Sequence, residues 1–427
     1  MKKIAIFTLM FLPLICFGEL FLEITKGSED PFKVAIIPFE GSSSVSKKLN
    51  KVIRNDLNRT GEFDLLDASL LLPLIVVEDE INYRDWNLLG MDYLVTGNII
   101  KTNSSIDVNY EIYDIRKKKK IRSSKVFGLP NQLRQLAHYT SDGMYESIAG
   151  IKGIASTKLL YVHDVKSNNL NTRYRLMLAD SDGANEQTLL SSSEPIISPS
   201  WSPDGKKVAY VSFETGLAKV YIQNIATGER NSVLSKNTQI SSPSWSPDGK
   251  YLSLTLYQDG NAEIYILRLR DKTLTRMTNQ FAIDTESSWS PKGNKILFTS
   301  GRSGSPQIYE LDLRRLNAKA KRLSFEGTYN AKASYLPNEE GIIFVHRSVN
   351  GLFHIALKYK KENFIRILTE AKMDESPSVA PNGNMVIYGT TEGDQSMLAG
   401  FSLSGASFKL PASEGEVREP AWSNFLR

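Results

Sequence analysis

A short phrase recurs along the second half of the chain at a nearly fixed interval. Ser198-Pro199-Ser200-Trp201-Ser202-Pro203-Asp204-Gly205 returns as Ser242-Pro243-Ser244-Trp245-Ser246-Pro247-Asp248-Gly249 and as Glu286-Ser287-Ser288-Trp289-Ser290-Pro291-Lys292-Gly293. Looser copies centre on Tyr335 and Val379, and a last one, Glu419-Pro420-Ala421-Trp422-Ser423, stops near the C-terminus. The anchors at 201, 245, 289, 335, 379 and 422 are 44, 44, 46, 44 and 43 residues apart. A fixed period in this range is the mark of a repeat architecture.

One repeat, residues 198 to 235, reads as four short strands. Pro presets φ at the second position of the Ser-Pro-Asp-Gly turn, Asp bonds its own backbone, and Gly closes the turn. The runs Lys207–Ser212, Lys219–Asn224 and Arg230–Ser235 follow, separated by Glu-Thr-Gly and Ala-Thr-Gly-Glu. No helical period of useful length appears among them. A four-stranded antiparallel unit repeated around an axis is a β-propeller blade. Runs matching Lys207–Ser212 begin at Lys158, Tyr251, Lys295, Gly341 and Asn384, which makes six. The run at Lys158 lacks a Trp phrase before it, and the phrase at Trp422 lacks a blade after it. The two deficits complement each other, so the C-terminal strand is expected to complete the first sheet and seal both edges. The fold class expected is multidomain α+β: a small α/β N-terminal domain followed by a six-bladed β-propeller.

At 427 residues the chain has room for two or more domains. Residues 1–18 read as a secretory signal peptide with a charged start at Lys2-Lys3, an apolar stretch over Ile4–Phe17 and cleavage after Gly18. That stretch is too short to span a membrane, which takes about 20 residues. The only cysteine, Cys16, lies inside it, and Ile15 before it is not the small residue a lipoprotein signal wants. The mature protein is therefore expected to lack disulfides, as suits an exported protein of the bacterial envelope with a packed core. Removing Lys2 and Lys3 takes the net charge from +5 to +3, without the basic face of a nucleic-acid binder. The densest basic run, Arg116–Lys120, reads as an exposed hairpin turn.

Residues 19–31 form an N-terminal arm in which Leu20, Leu22 and Ile24 alternate with other side chains. Such a segment is either a first strand of the next domain or an arm that adds to a partner's sheet. Residues 32–150 read as the α/β domain, with a buried strand at Lys33–Phe39, a helix over Val45–Thr60 ended by Gly61, a second buried strand at Tyr93–Ile100, a hairpin over Ile106–Phe127 and a closing helix from Gln132. Residues 151–427 make the propeller.

The linker Gly150-Ile151-Lys152-Gly153, the repeated Ser-Pro-x-Trp-Ser-Pro-Asp-Gly, Tyr210–Gly216, Glu375–Ser378, Pro381–Tyr388 and the closing Pro420-Ala421-Trp422-Ser423 together resemble the TolB family of the Tol–Pal system. The resemblance covers the whole mature chain and is densest over 150–427. It implies a non-enzymatic, monomeric periplasmic adaptor without cofactor or metal. Such proteins bind the lipoprotein Pal at the mouth of the propeller channel and TolA through the N-terminal segment. They thereby associate with the outer membrane and support its integrity and its constriction at cell division; some colicins exploit the propeller site. Carried over by position, the Pal site comprises Ser198, Ser242, Thr285, Glu286, Lys332, Glu375 and Glu419, on loops entering the innermost strands. The TolA site comprises Leu20, Leu22 and Ile24. Gln239 stands where the family often has an imidazole, and Ser242 where it often has a smaller residue.

Two other classes compete with this reading. A propeller hydrolase needs a Gly-x-Ser-x-Gly elbow with Asp and His partners, and Gly301-Arg302-Ser303-Gly304-Ser305 lacks the last Gly. Of the four histidines, His138, His163, His346 and His354, only the last two fall on neighbouring strands, as packed residues or as a metal pair. A carbohydrate- or peptidoglycan-binding propeller would use its Trp residues for stacking, but their place on inner strands favours packing between blades. Glu286, Glu375 and Glu419 are expected to gather at one channel mouth, where like charges call for a basic partner or a cation.

Overall fold

The computed structural model describes residues 30–67, 81–166, 172–315, 318–370, 373–410 and 415–426. The expected leader and residues 19–29 of the expected arm, with Cys16, Leu20, Leu22 and Ile24, lie outside them.

The first domain runs β1 (Phe32–Ile36), α1 (Ser43–Thr60), β2 (Phe63–Leu65), α2 (Tyr83–Leu88), β3 (Tyr93–Lys101), β4 (Ile106–Asp114), β5 (Lys119–Gly128) and α3 (Leu133–Ala149). The sheet order is β2-β1-β3-β4-β5. β1 pairs in parallel with both of its neighbours, and the remaining pairs are antiparallel. Apolar residues recur along α1 at helical spacing, so Leu49, Ile53 and Leu57 bury one stripe with Leu136 and Met144 of α3 against Val95, Val108 and Ile112 of the sheet. The helix stops at Gly61, whose φ of 71° places it in the left-handed region that ends many helices. Arg116–Lys118 lie in the exposed turn before β5, with Arg116 paired to Asp92 and Lys117 to Asp114, while Lys119 and Lys120 begin the strand itself.

Six four-stranded sheets follow. One starts the propeller from β6 (Lys158–Lys166), β7 (Thr172–Asp180) and β8 (Gln187–Ser192). The next is β9 (Ile196–Trp201), β10 (Lys207–Ser212), β11 (Lys219–Asn224) and β12 (Arg230–Ser235). Sheets β13–β16, β17–β20, β21–β24 and β25–β28 occupy 240–276, 284–322, 329–367 and 375–410. The last strand, β29 (Glu416–Trp422), joins the first sheet, with Val417 opposite His163 and Trp422 opposite Leu159. The first strands of successive sheets contact one another in a closed cycle and line the axis.

The repeated phrase builds the turn that each first strand needs. Ser202 Oγ donates to Asp204 Oδ1 at 2.6 Å and accepts from Lys207 N at 2.9 Å, while Gly205 takes φ 66°. Ser246 and Asp248 repeat the arrangement. Where Lys292 replaces the Asp, Ser290 Oγ turns to Asn294 Oδ1 instead. Two of the Trp residues staple neighbouring blades: Trp201 Nε1 donates to Ala421 O at 2.9 Å, and Trp289 Nε1 to Ser244 O at 3.1 Å.

Candidate functional site: the propeller channel

Each first strand carries a bulge in its middle. At each bulge one non-glycine residue sits in the left-handed region: Ser198 (φ 55°), Ser242 (54°), Glu286 (57°), Lys332 (55°), Ser376 (54°) and Glu419 (51°). These positions lie three residues before the six anchors. A single left-handed non-glycine residue is uncommon, and six in equivalent places are a designed element of the wall. All six line the axial cavity of about 590 Å³, together with the Trp residues and the prolines of the repeated phrase.

This corrects the expected placement in two ways. The candidate residues lie within the inner strands, not on loops entering them, because the bulge turns a mid-strand side chain toward the axis. Thr285 and Glu375 fall one residue short of the ring and do not line the cavity. Thr285 Oγ1 instead faces Thr255 Oγ1 at 3.2 Å, and Glu375 is exposed. The position in that blade belongs to the buried Ser376, which the period itself would have indicated had the register been counted back from Val379.

The expected acidic mouth is also corrected. Glu286 accepts hydrogen bonds from Thr299 Oγ1 at 2.9 Å and from the backbone N–H of Lys332, the equivalent residue of the next blade, at 3.2 Å. Glu419 likewise accepts from the N–H of Ser198 in its next blade. Lys332 Nζ donates to Ser376 Oγ at 2.6 Å and lies 3.7 Å from Glu419 Oε1. Glu419 thus faces an internal cation and a backbone amide, while Glu286 is held by a hydroxyl and a backbone amide, so neither carboxylate stands bare in the channel.

His346 and His354 stand opposite each other in β22 (Gly341–Arg347) and β23 (Phe353–Tyr359). Both are buried and engaged. His346 Nδ1 lies 2.8 Å from Asn330 Oδ1, and His354 Nδ1 lies 2.8 Å from Thr369 O. Burial, and then the neighbouring His354, push the His346 imidazole down to about 4.

The two faces of the ring differ. First strands run from the inter-blade linkers toward the Ser-Pro-Asp-Gly turns, and the α/β domain sits over the turn face. Glu62 accepts from Asn384 Nδ2 at 3.1 Å and from Ser404 Oγ at 2.8 Å, and Asn382 Nδ2 donates to Lys152 O at 3.1 Å. The linker face, away from that domain, presents Phe281, 86% exposed, with Ile283, Phe325 and Met373 on three successive linkers and Val349 on a hairpin. Large apolar side chains gathered on one rim mark an interaction surface. Their signal in the sequence is weak, because an isolated Phe in a linker looks like any other.

A small α/β domain seated on a closed six-bladed propeller, whose channel wall is lined by polar bulge residues, defines a two-domain propeller protein. The chain matches the TolB beta propeller domain over residues 145–426 and the TolB amino-terminal domain over 20–121. It is 46% identical over 409 residues to the Tol-Pal system protein TolB of Pseudomonas aeruginosa, covering 95% of this chain and 94% of the relative. The protein of the same name from Alcanivorax borkumensis is 42% identical over 416 residues, covering 96% and 94%. The crystal structure of TolB from Acinetobacter baumannii matches with a TM-score of 0.86 at 38% identity, over 94% of this chain and 98% of that one. The chain belongs to the TolB family of the Tol–Pal system. Among its described residues no helix is long and apolar enough to cross a membrane.

Proposed function

We propose that this protein is a non-enzymatic periplasmic adaptor that binds the lipoprotein Pal on the linker face of its propeller and TolA through the arm at residues 19–31. Through Pal it reaches the outer membrane, and the bridge supports envelope integrity and constriction at division. The carrying observation is the apolar rim on the face that the α/β domain leaves open, beside a channel wall bearing Glu286, Lys332 and Glu419. Phe281 and its neighbours supply burial, and the bulge side chains supply the polar contacts that fix register. Ser198 and Ser242 contribute small hydroxyl groups to that wall, with Thr285 and Glu375 at its edge.

Co-purification from envelope extracts under mild crosslinking tests the partners. Phe281→Asp with Phe325→Asp should lower Pal recovery at least tenfold while TolA recovery persists. Deleting residues 19–30 should do the reverse. Normal Pal binding by the double Asp variant would place the interface elsewhere.

A further inference from the structure

The contact between the α/β domain and the propeller encloses a histidine. His138, on α3, is 3% exposed. Its Nδ1 lies 2.8 Å from Asp56 Oδ2 of α1, which also accepts from Ser141 Oγ at 2.8 Å. Its Nε2 has no hydrogen-bond partner among the described residues, yet it points across the domain boundary to Asp180 Oδ2 at 3.8 Å and Asp182 Oδ2 at 3.9 Å. Both aspartates belong to the propeller, at the end of β7 and in the turn after it. The other charged groups facing this cage are Arg59 from α1, Arg134 from α3, Lys158 from β6, and Asp142, which is turned toward the amides of Ala155 and Ser156.

Three carboxylates, from Asp56, Asp180 and Asp182, therefore meet three side chains that are cationic at neutral pH. Arg134 is bound to Asp182 and Lys158 to Asp180. Asp56, His138 and Asp182 are close enough together to ligate a metal ion, but the guanidinium and ammonium groups already occupy the carboxylates that a dication would need. An imidazole with one nitrogen on each domain's carboxylates can satisfy both sides only by carrying two protons.

We infer that His138 is a proton-held lock between the domains: as imidazolium it ties Asp56 of the α/β domain to Asp180 and Asp182 of the propeller, and as neutral imidazole it releases one side. Burial alone would disfavour the charge, but the carboxylates of Asp180, Asp56 and Asp182 reverse this and raise the group to about 9. Asp180 responds in the opposite sense: burial would raise it, and His138 with Lys158 brings it well below the usual carboxylate range. For a raised imidazole the linkage is complete below its ordinary value of 6.5 and is lost as pH climbs through about 9. The lock is thus closed at neutral pH.

The test combines a ring titration with a distance measurement on the full chain. By NMR, His138 should titrate near 9, and Asp180→Asn with Asp182→Asn should bring it back toward 6.5. Spin labels at Lys47→Cys and Lys236→Cys, both exposed positions, in a Cys16→Ser background, should give one narrow distance distribution at pH 7. That distribution should broaden by pH 10, and at pH 7 in His138→Gln. Asp182→Asn serves as the milder variant should His138→Gln fail to fold, and it too should broaden the distribution at pH 7. A His138 midpoint near 6.5, a distribution unchanged in both variants, or stoichiometric zinc binding abolished by His138→Gln would overturn the lock.

Discussion

The indole N–H of Trp422 donates to the hydroxyl of Thr157 at 2.8 Å, which ties the last strand of the chain to the segment that leads out of α3. Ring closure and domain connection therefore meet at one bond. Trp422 N also accepts the register of the neighbouring blade by donating to Ser378 Oγ at 2.8 Å.

Trp422→Ala should cost about 3–5 kcal/mol, the usual range for a buried aromatic, because it opens a cavity at the closure point. Trp245→Ala should cost less, below about 2 kcal/mol. Trp245 is only half-buried, and its Nε1 lacks a hydrogen-bond partner among the described residues. Urea midpoints of the two variants measure the difference; an equal loss would show that inter-blade packing is uniform around the ring.

Glu286→Lys should weaken Pal binding at least tenfold. It should also lower stability by about 1–3 kcal/mol, since it removes the carboxylate that accepts from both Thr299 Oγ1 and the N–H of Lys332, leaving that N–H only Thr299 Oγ1, and sets a second cation beside Lys332. Glu286→Gln keeps an acceptor oxygen and should retain most of the stability. Calorimetric titration with Pal and thermal melts of both variants separate the binding loss from the folding loss.

Ser242→Gly should stabilise the fold by about 0.5–1 kcal/mol. A left-handed residue other than glycine costs about 1–2 kcal/mol, and the added freedom of the unfolded glycine returns part of that. Ser242→Val should destabilise, because a β-branched side chain resists the same φ. If both variants melt together with the native protein, the bulge carries no strain.

His346 should make the fold sensitive to acid. Its imidazole is held down to about 4 from an ordinary 6.5, so the unfolded chain takes up the proton first and stability falls as pH drops through that window. His346→Gln, which can still face Asn330, should flatten the pH dependence of the denaturation midpoint between those values by up to one proton. An unchanged slope would assign the acid sensitivity to other groups.

The propeller was legible because its information is local and repeated. A turn of Ser, Pro, Asp and Gly must be written in consecutive residues, and the unmatched ends at Lys158 and Trp422 reveal closure by subtraction. The channel wall was legible only in part. Nothing in Ser198, Lys332 or Glu419 announces a left-handed backbone, since that geometry is imposed by the paired strand and not by the residue's own preference. Glu375 was carried into the ring by its position before the repeated phrase, one residue out of register, whereas its neighbour Ser376 holds the place. The pairing of Lys332 with Glu419 joins blades far apart in sequence, so composition alone left two glutamates that seemed unopposed. The same holds for His138, whose propeller partners follow it in the chain yet reach it only once α3 is docked.

The six kinks of the channel wall share one backbone shape while bearing Ser, Ser, Glu, Lys, Ser and Glu. Shape and chemistry are thereby separable: one backbone course carries a hydroxyl, a carboxylate or an ammonium group, so what the bore offers to a visitor can change while the course of the strands stays the same. A lineage facing a new ligand has six dials to turn and no architecture to rebuild.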